Sequence, residues 1–449
     1  MSSLQMKNVA ENVRRRAEEF CDLSEIENYF DRLFPICRSI LGQGYRDSLA
    51  ILRELVPFEL ESVRSGMDVL DWTVPDEWNI EDAYIITPDG DRIAQFKDHN
   101  LHVVHYSEPV DQELTLEELK DHLFTVPDLP DHLPYVTSYY HRRWGFCISQ
   151  RQFDSLKPGI YRAVVKSEIK PGRLVYGQAM IPGRTDREVL ISTYLCHPQM
   201  ANHELSGPLV QAYLYKMLKA TGPHRHTFRF LICPENIGAA AFLHDHGDQL
   251  CENVEAGYVV NCVGHGQEWT YKRSRQHASR SDVAAINTLR FGDTPLEIVD
   301  FFPDGSDERQ FCSPGFNLPV GLIMRQMFGR YPEYHTSADD KNLISFDTIR
   351  ESVQGYFDTI MALELDFRPY GRVQRGSPML SKSPIPLYRN IMNFRSQPKN
   401  VRTRIMLEIL NLADGNMSLL DMAESKDFRL LDYADLIADL VAAGYISEH

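Results

Sequence analysis

The sequence predicts an α/β protein built on a mostly parallel central sheet. Three observations carry this. From Gly159 onward, short apolar runs alternate with amphipathic helical stretches, the pattern of a sheet covered on both faces. Several of those runs deliver an ionisable or amide side chain to their C-terminal end, where open α/β sheets gather ligands. The texture differs on either side of this region, β-rich before it and helical after it, and 449 residues exceed one ordinary core.

The elements follow in order. The first sixty residues read as helices: 25–34 carries apolar residues at helical spacing, and a run over 45–55 leads to Pro57. The chain then turns to short β-type runs. Residues 83–87 and 92–96 flank Pro88-Asp89-Gly90-Asp91, a hairpin signal. Residues 101–106 are a further strand candidate. Trp72, Trp78 and Trp144 fall in the same stretch, so 61–156 reads as an inserted β-rich subdomain with its own small core.

The α/β domain takes in residues 1–60 and 157–368. Within it, 161–165 and 174–177 read as paired strands. Residues 189–196 are almost continuously apolar, as a central strand is. A helix over 208–220 follows, with Val210, Tyr213, Leu214, Met217 and Leu218 on one stripe. Strands are expected at 228–233, 257–264 and 320–324, with a helix at 239–245. Residues 369–386, rich in Pro, Gly, Ser and Arg, read as a linker. Residues 387–449 read as a winged-helix-like domain, with helices near 402–412, 418–424 and 430–443.

Charge and composition exclude several classes of partner. The net charge is −16 at neutral pH, which disfavours nucleic acid and anionic membrane. No apolar stretch reaches the length of a membrane span, and residues 1–19 contain no apolar leader. A winged helix would suggest DNA, but 401–449 carries four basic side chains against nine acidic ones, a balance of −5. Such a surface repels phosphate, so packing or homo-oligomer formation, through this domain or the insertion, is the expected role. Eight cysteines are scattered with no C-x-x-C pair, as in a reduced, cytoplasmic protein.

Five constellations carry chemistry. His197 ends the apolar run 189–196, and Asn202, His203 and Glu204 sit just before the next helix, where a carboxylate stays ionised. A strand-end histidine on a backbone carbonyl is the bland alternative. Glu235 ends another buried strand, where desolvation raises its pKa toward that of a general base. A first-turn helix acid fits as well. Asp307 and Glu308 in Gly305-Ser306-Asp307-Glu308-Arg309-Gln310 form either a substrate-binding cluster or a self-paired loop. His335, with Thr336, Ser337 and Asp339, supplies an imidazole and the groups that fix its tautomer at a metal site. Arg273 and Arg275 form a basic run, a solvated face or a clamp for a substrate carboxylate.

In this order and company, His197, Leu205-Ser206-Gly207, Glu235, Asn261 and His335-Thr336-Ser337-Ala338-Asp339 resemble zinc exopeptidases of the aminopeptidase S and Y type. The chain is similar along nearly its whole length to an uncharacterised bacterial family of aminopeptidase-like proteins. That family carries a β-rich insertion and a C-terminal winged helix. The resemblance rests on Thr193-Tyr194-Leu195-Cys196-His197-Pro198, Pro234-Glu235-Asn236-Ile237-Gly238, Gly305-Ser306-Asp307-Glu308-Arg309-Gln310 and Tyr334-His335-Thr336-Ser337. It implies a zinc-exopeptidase core of the phosphorylase/hydrolase-like type, with His197 and His335 as zinc ligands and Glu235 as general base.

Three positions depart from the exopeptidase pattern. Asn202, Asn236 and Asn261 stand where such enzymes carry metal-binding carboxylates, and amides are weak zinc ligands. One zinc ion is therefore expected, held by His197, His335 and either His203 or Glu204, since catalytic zinc keeps three protein ligands. The expected function is zinc-dependent hydrolysis of a peptide or amide bond. The alternatives are an amide hydrolase or cyclase acting on a small modified metabolite, and a metal-poor binding or scaffold protein.

Overall fold

The centre of the molecule follows from burial on both faces of one strand. In the computed structural model, which describes residues 2–383 and 401–448, all seven residues of Glu188–Tyr194 are buried. Val189 and Ile191 enter one apolar cluster and Leu190 the other, because successive strand residues point to opposite faces. Each such side chain contributes roughly 1.5–3 kcal/mol on full burial.

The central sheet has eight strands. In chain order they are β1 (Glu59–Arg64), β2 (Arg173–Ile181), β3 (Glu188–Tyr194), β4 (Thr227–Cys233), β5 (Val254–Val260), β6 (Trp269–Lys272), β7 (Leu296–Val299) and β8 (Val320–Met324). Across the sheet they run β1-β2-β4-β3-β5-β8-β6-β7. The four inner strands, β4, β3, β5 and β8, are parallel, so their C-terminal ends share one rim. β2 and β6 run against their inner neighbours.

Among the helices are α1 (Ser3–Asn12), α2 (Ser206–Thr221), α3 (Ile237–Asn253), α4 (Arg280–Arg290), α5 (Phe346–Leu365), α6 (Val401–Leu412), α7 (Leu419–Lys426) and α8 (Ala434–Ala442); Leu23–Leu33, Gln43–Leu52 and several shorter helices also occur. α2 and α5 place Leu209, Val210, Ile349 and Val353 in the cluster on one face. α3 places Ala239 to Leu243 in the cluster on the other. Gly207 is needed where α2 begins. A Cβ there would lie 2.3 Å from the Val260 carbonyl oxygen and 2.5 Å from Thr193 Oγ1, so only glycine lets the helix start this close to the sheet.

Two strand expectations are corrected. The run 161–165 does not pair with 174–177. Ile160–Lys170 is antiparallel to Glu77–Ile86 and Val110–Thr115 in a separate four-stranded sheet, while β2 is taken by β1 and β4. The small sheet thus runs past residue 156. Its inward face joins the cluster under α3, where Trp78, Ile85 and Ala163 meet Leu190 and Phe242. The insertion shares that core instead of closing its own. Residues 101–106 make no strand: a 3₁₀ turn at Asn100–His102 leads to single bridges. Val104 and His105 bond to two different segments, at Gly145 and Val136, which leaves no continuous ladder.

The C-terminal helices pack directly on the core. Leu436, Ile437 and Leu440 of α8 join Met6 and Val9 of α1 in one cluster, and Asn287 of α4 donates to the Phe428 carbonyl at 3.0 Å. Pro369–Gly371 pairs with Ile446–Glu448, so residues read as linker complete a sheet with the chain's end. The rest of that stretch from 384, and residues 387–400 of the expected winged-helix unit, lie outside the described residues. Among the described residues, no helix is long and apolar enough to cross a membrane.

Candidate metal centre

Three histidines from two distant segments, 197–203 and 335, meet at the shared rim. His197 follows β3. His203 lies in a π-helical turn, Ala201–Leu205, that opens α2, a device common at functional sites. His335 comes from the loop before α5 and adopts φ +57°, a left-handed conformation rare outside glycine. His203 Nε2 lies 3.4 Å from His197 Nε2 and 3.1 Å from His335 Nε2.

Their surroundings fix which ring nitrogens are free. The Tyr194 hydroxyl has one proton, given to the His203 carbonyl oxygen at 3.0 Å. His203 Nδ1, 3.1 Å from that hydroxyl oxygen, must then be the donor, which leaves Nε2 with its lone pair. His197 Nδ1 donates to Glu204 Oε2 at 2.8 Å, again freeing Nε2. Burial holds the His203 imidazole well below its usual range and His335 down to about 3, with the neighbouring rings acting in the same direction. Neutral imidazoles are what a metal requires. Tetrahedral zinc with Zn–N of roughly 2.0–2.1 Å sets ligand nitrogens roughly 3.3–3.4 Å apart, close to the spacings found here. His197, His203 and His335 thus form a group that fits a metal ion.

Glu235 stands beside this group, its Oε2 3.7 Å from His197 Nε2. Burial pushes its carboxyl well above the usual carboxylate range. The charges of Asp307, Glu204 and Glu308 push the same way, and Arg309 opposes them. The next residue is strained: Asn236 has φ +60° and ψ −65°, with the Ile237 amide bonded back to the Glu235 carbonyl at 2.7 Å. This γ-turn is costly. Asp307 Oδ1 accepts from the Asn236 amide at 2.6 Å, and Arg309 Nε donates to Asn236 Oδ1 at 2.7 Å. The polar loop therefore braces the turn that presents Glu235.

Several expected site residues take other positions. Glu204 sits on the far nitrogen of His197, and its second oxygen is 3.9 Å from the buried Arg38, so it orients a ligand. Asp307 and Glu308 do not face the cavity. Asp307 is committed to the turn, and Glu308 is fully buried, 2.7 Å from Lys272 Nζ, a pairing that burial demands. Asp339 does not touch His335: it accepts the amides of Ala201, Asn202 and His203 at 3.2, 2.6 and 2.9 Å. Asn202 Oδ1 accepts from Gly264, and Asn261 Nδ2 donates to Ser306, so the amides bind scaffold. Arg273 and Arg275 are displaced furthest. β6 runs antiparallel to β8, so they leave the sheet at the opposite rim, where Arg275 meets Asn317.

A cavity of about 330 Å³ opens over His197, His335 and Glu235. Its other wall comes from the insertion: Trp72, Tyr135, Thr137, Tyr139 and Tyr140. The rings of Tyr135 and His197 meet edge to face at 5.1 Å, as do those of Tyr135 and His335 at 5.3 Å. Sequence reasoning gave none of these residues a role in the site, nor Tyr194 and Arg38. The dense tyrosines of 135–140, beside the charged run His141-Arg142-Arg143, are a signal that could have found the wall.

Sheet topology and the strand-end histidines together define an aminopeptidase-like α/β protein with an appended winged helix. Residues 27–366 match the family described as Domain of unknown function (DUF4910), and the chain belongs to that family. Residues 368–448 match the winged helix-turn-helix family. A Clostridium acetobutylicum protein, named for polysaccharide biosynthesis and an aminopeptidase-like domain, is 40% identical over 412 residues, 91% of this chain and 93% of that one. A crystal structure of a C. acetobutylicum protein described as a peptidase matches with TM-score 0.90 and 36% identity over 99% of this chain and 100% of that one. A zinc aminopeptidase from Bacillus subtilis shares the fold at TM-score 0.54 and 13% identity, over 77% of this chain and 94% of that one.

Proposed function

We propose that this protein is a zinc-dependent hydrolase of a peptide or amide bond, aminopeptidase-like in its core, with one metal ion and Glu235 as general base. The observation that carries the reading is the convergence of three Nε2 atoms, from His197, His203 and His335, within 3.1–3.4 Å along the chain of contacts. The aminopeptidase-like domain in the name of the 40% identical relative supports it. Zinc held by those three nitrogens would supply Lewis acidity, polarising a scissile carbonyl and lowering the pKa of water to about 7.

The chain's own residues do the rest. Glu235, with its raised proton affinity, takes a proton from the attacking water and passes it to the departing nitrogen. Glu204 and Tyr194 hold the ring nitrogens opposite the metal, fixing both tautomers. Tyr135 and Tyr139, whose hydroxyls lie 2.5 Å apart, line the cavity and orient the substrate. One specific observation favours a small modified amide over a peptide: among the lining residues, only Glu235 carries an acidic side chain. The eight free cysteines suit a cytoplasmic enzyme. Nucleic acid is not a proposed partner, because residues 401–449 carry four basic side chains against nine acidic ones.

Metal analysis of protein purified without added metal, followed by zinc titration of chelated protein, tests the reading. One zinc per chain is expected, lost in His203→Ala. No affinity for zinc in the wild type would overturn it.

A further inference from the structure

The cavity beside the histidines lacks what a free N-terminus needs. An aminopeptidase must hold an ammonium next to its metal, and a carboxylate is the natural partner. Here the carboxylates near the histidines are committed elsewhere. Glu204 is bound to His197 and faces Arg38, Asp339 to three backbone amides, Asp307 to the Asn236 amide and Glu308 to Lys272. Only Glu235 lines the cavity, and it is engaged in proton transfer. The three histidines bring no carboxylate of their own, so once Glu235 is engaged none is left in the cavity for an ammonium. Nor does an arginine or lysine line the cavity to fix a substrate carboxylate.

The wall is suited to a different shape. Trp72 and Tyr140 meet at 6.4 Å, ring edge to face, and Tyr140 is 53% exposed at the mouth. Such rings pair an apolar body with a polar tip. The Tyr135 and Tyr139 hydroxyls and Thr137 add hydrogen-bonding groups deeper in. A pyranose ring has the matching character: apolar C–H faces and a rim of hydroxyls. The cavity of about 330 Å³ stands at the small end of the roughly 300–1,000 Å³ range of ligand sites, which suits one sugar unit.

We infer that the cavity takes a neutral N-acylated amino sugar, its ring against the Trp72–Tyr140 wall and its amide toward Glu235. This rests on the amide-hydrolase reading above. Water adds across the C–N bond: the carbon keeps the water oxygen as a carboxylic acid, the nitrogen takes the proton from Glu235, and a free amino sugar leaves.

Tryptophan fluorescence of the chelator-treated full chain provides a test that needs no metal. N-acetylglucosamine should change the emission, and once zinc is restored it should bind at least about tenfold more tightly than leucinamide, a difference of about 1.4 kcal/mol. Trp72→Phe should remove the signal, and Tyr140→Ala should weaken binding measured by calorimetry, while both variants keep the wild-type circular dichroism. With zinc restored, acetate should be released from N-acetylglucosamine faster than aniline from leucine anilide. Equal or tighter binding of leucinamide, or faster release of aniline, would overturn the inference while leaving the hydrolase reading intact. Zinc titration decides that reading separately.

Discussion

Glu204 holds His197 from behind: its Oε2 lies 2.8 Å from Nδ1, and the buried guanidinium of Arg38 lies 3.9 Å from its other oxygen. The same arginine donates to the His197 carbonyl oxygen at 2.9 Å, so ring and backbone are fixed together. Partners of this kind typically set metal affinity within a factor of about 10–100. Glu204→Gln should therefore weaken zinc binding by about 10–100-fold with little change in fold. A competition titration against a chromophoric chelator reads the affinity, and an unchanged value would remove Glu204 from this role.

Glu235 lies 3.7 Å from His197 on the metal-facing side, not behind it. Glu235→Gln should leave zinc stoichiometry at one per chain and lower turnover of an amide substrate by about 10²–10⁴-fold. Stopped-assay product release together with metal analysis separates the two effects. Loss of zinc in this variant would recast Glu235 as a ligand.

Much of this arrangement is legible in the sequence because it follows from local pattern. The strand at Val320–Met324 is marked by an unbroken apolar run, and His197 and Glu235 are legible as ends of such runs. His335 carries its own signature, Tyr334-His335-Thr336-Ser337. Other features depend on partners far along the chain. Nothing near Ile160–Lys170 says that its partners are Glu77–Ile86 and Val110–Thr115, because alternation specifies a strand without naming its neighbour. The tyrosines at 135–140 read as a loop until the fold sets them over His197. Asp339 reads as a companion of His335 by spacing, yet its carboxylate accepts backbone amides of the π-helical turn that opens α2 instead.

That turn yields a further prediction. Asp339 accepts the amides of Asn202 and His203, and Ala201 has a second acceptor in the Asp339 carbonyl. Asp339→Ala would orphan two buried N–H groups, at a cost on the order of 2–4 kcal/mol. Urea denaturation should show that loss, and zinc affinity should fall with it, since His203 sits on the released turn. A variant as stable as wild type would show that water replaces the carboxylate.

At the opposite rim, His226 precedes β4 and offers a stability test independent of the site. Its Nδ1 is 2.7 Å from Glu364 Oε1, and its Nε2 is 3.6 Å from Glu255. Burial lowers its pKa, but the Glu255 and Glu364 carboxylates beside its two ring nitrogens prevail and raise it to about 9. The nearby His226 ring carries Glu255 down to about 2 against its burial. The unfolded histidine titrates near 6.5, so this contribution is whole below about 6.5 and is lost as pH rises through about 9. The depressed Glu255 acts at the other end, holding above about 4.3 and failing as pH falls through about 2. Stability should thus plateau between about 4.3 and 6.5 and decline by on the order of 3 kcal/mol toward pH 9 and beyond. His226→Gln should flatten the alkaline limb. Glu364 keeps the Arg225 and His226 backbone amides as donors, so the variant should fold. Urea midpoints measured from pH 5 to 10 decide it: parallel curves for the two proteins would show that His226 is not the titrating group.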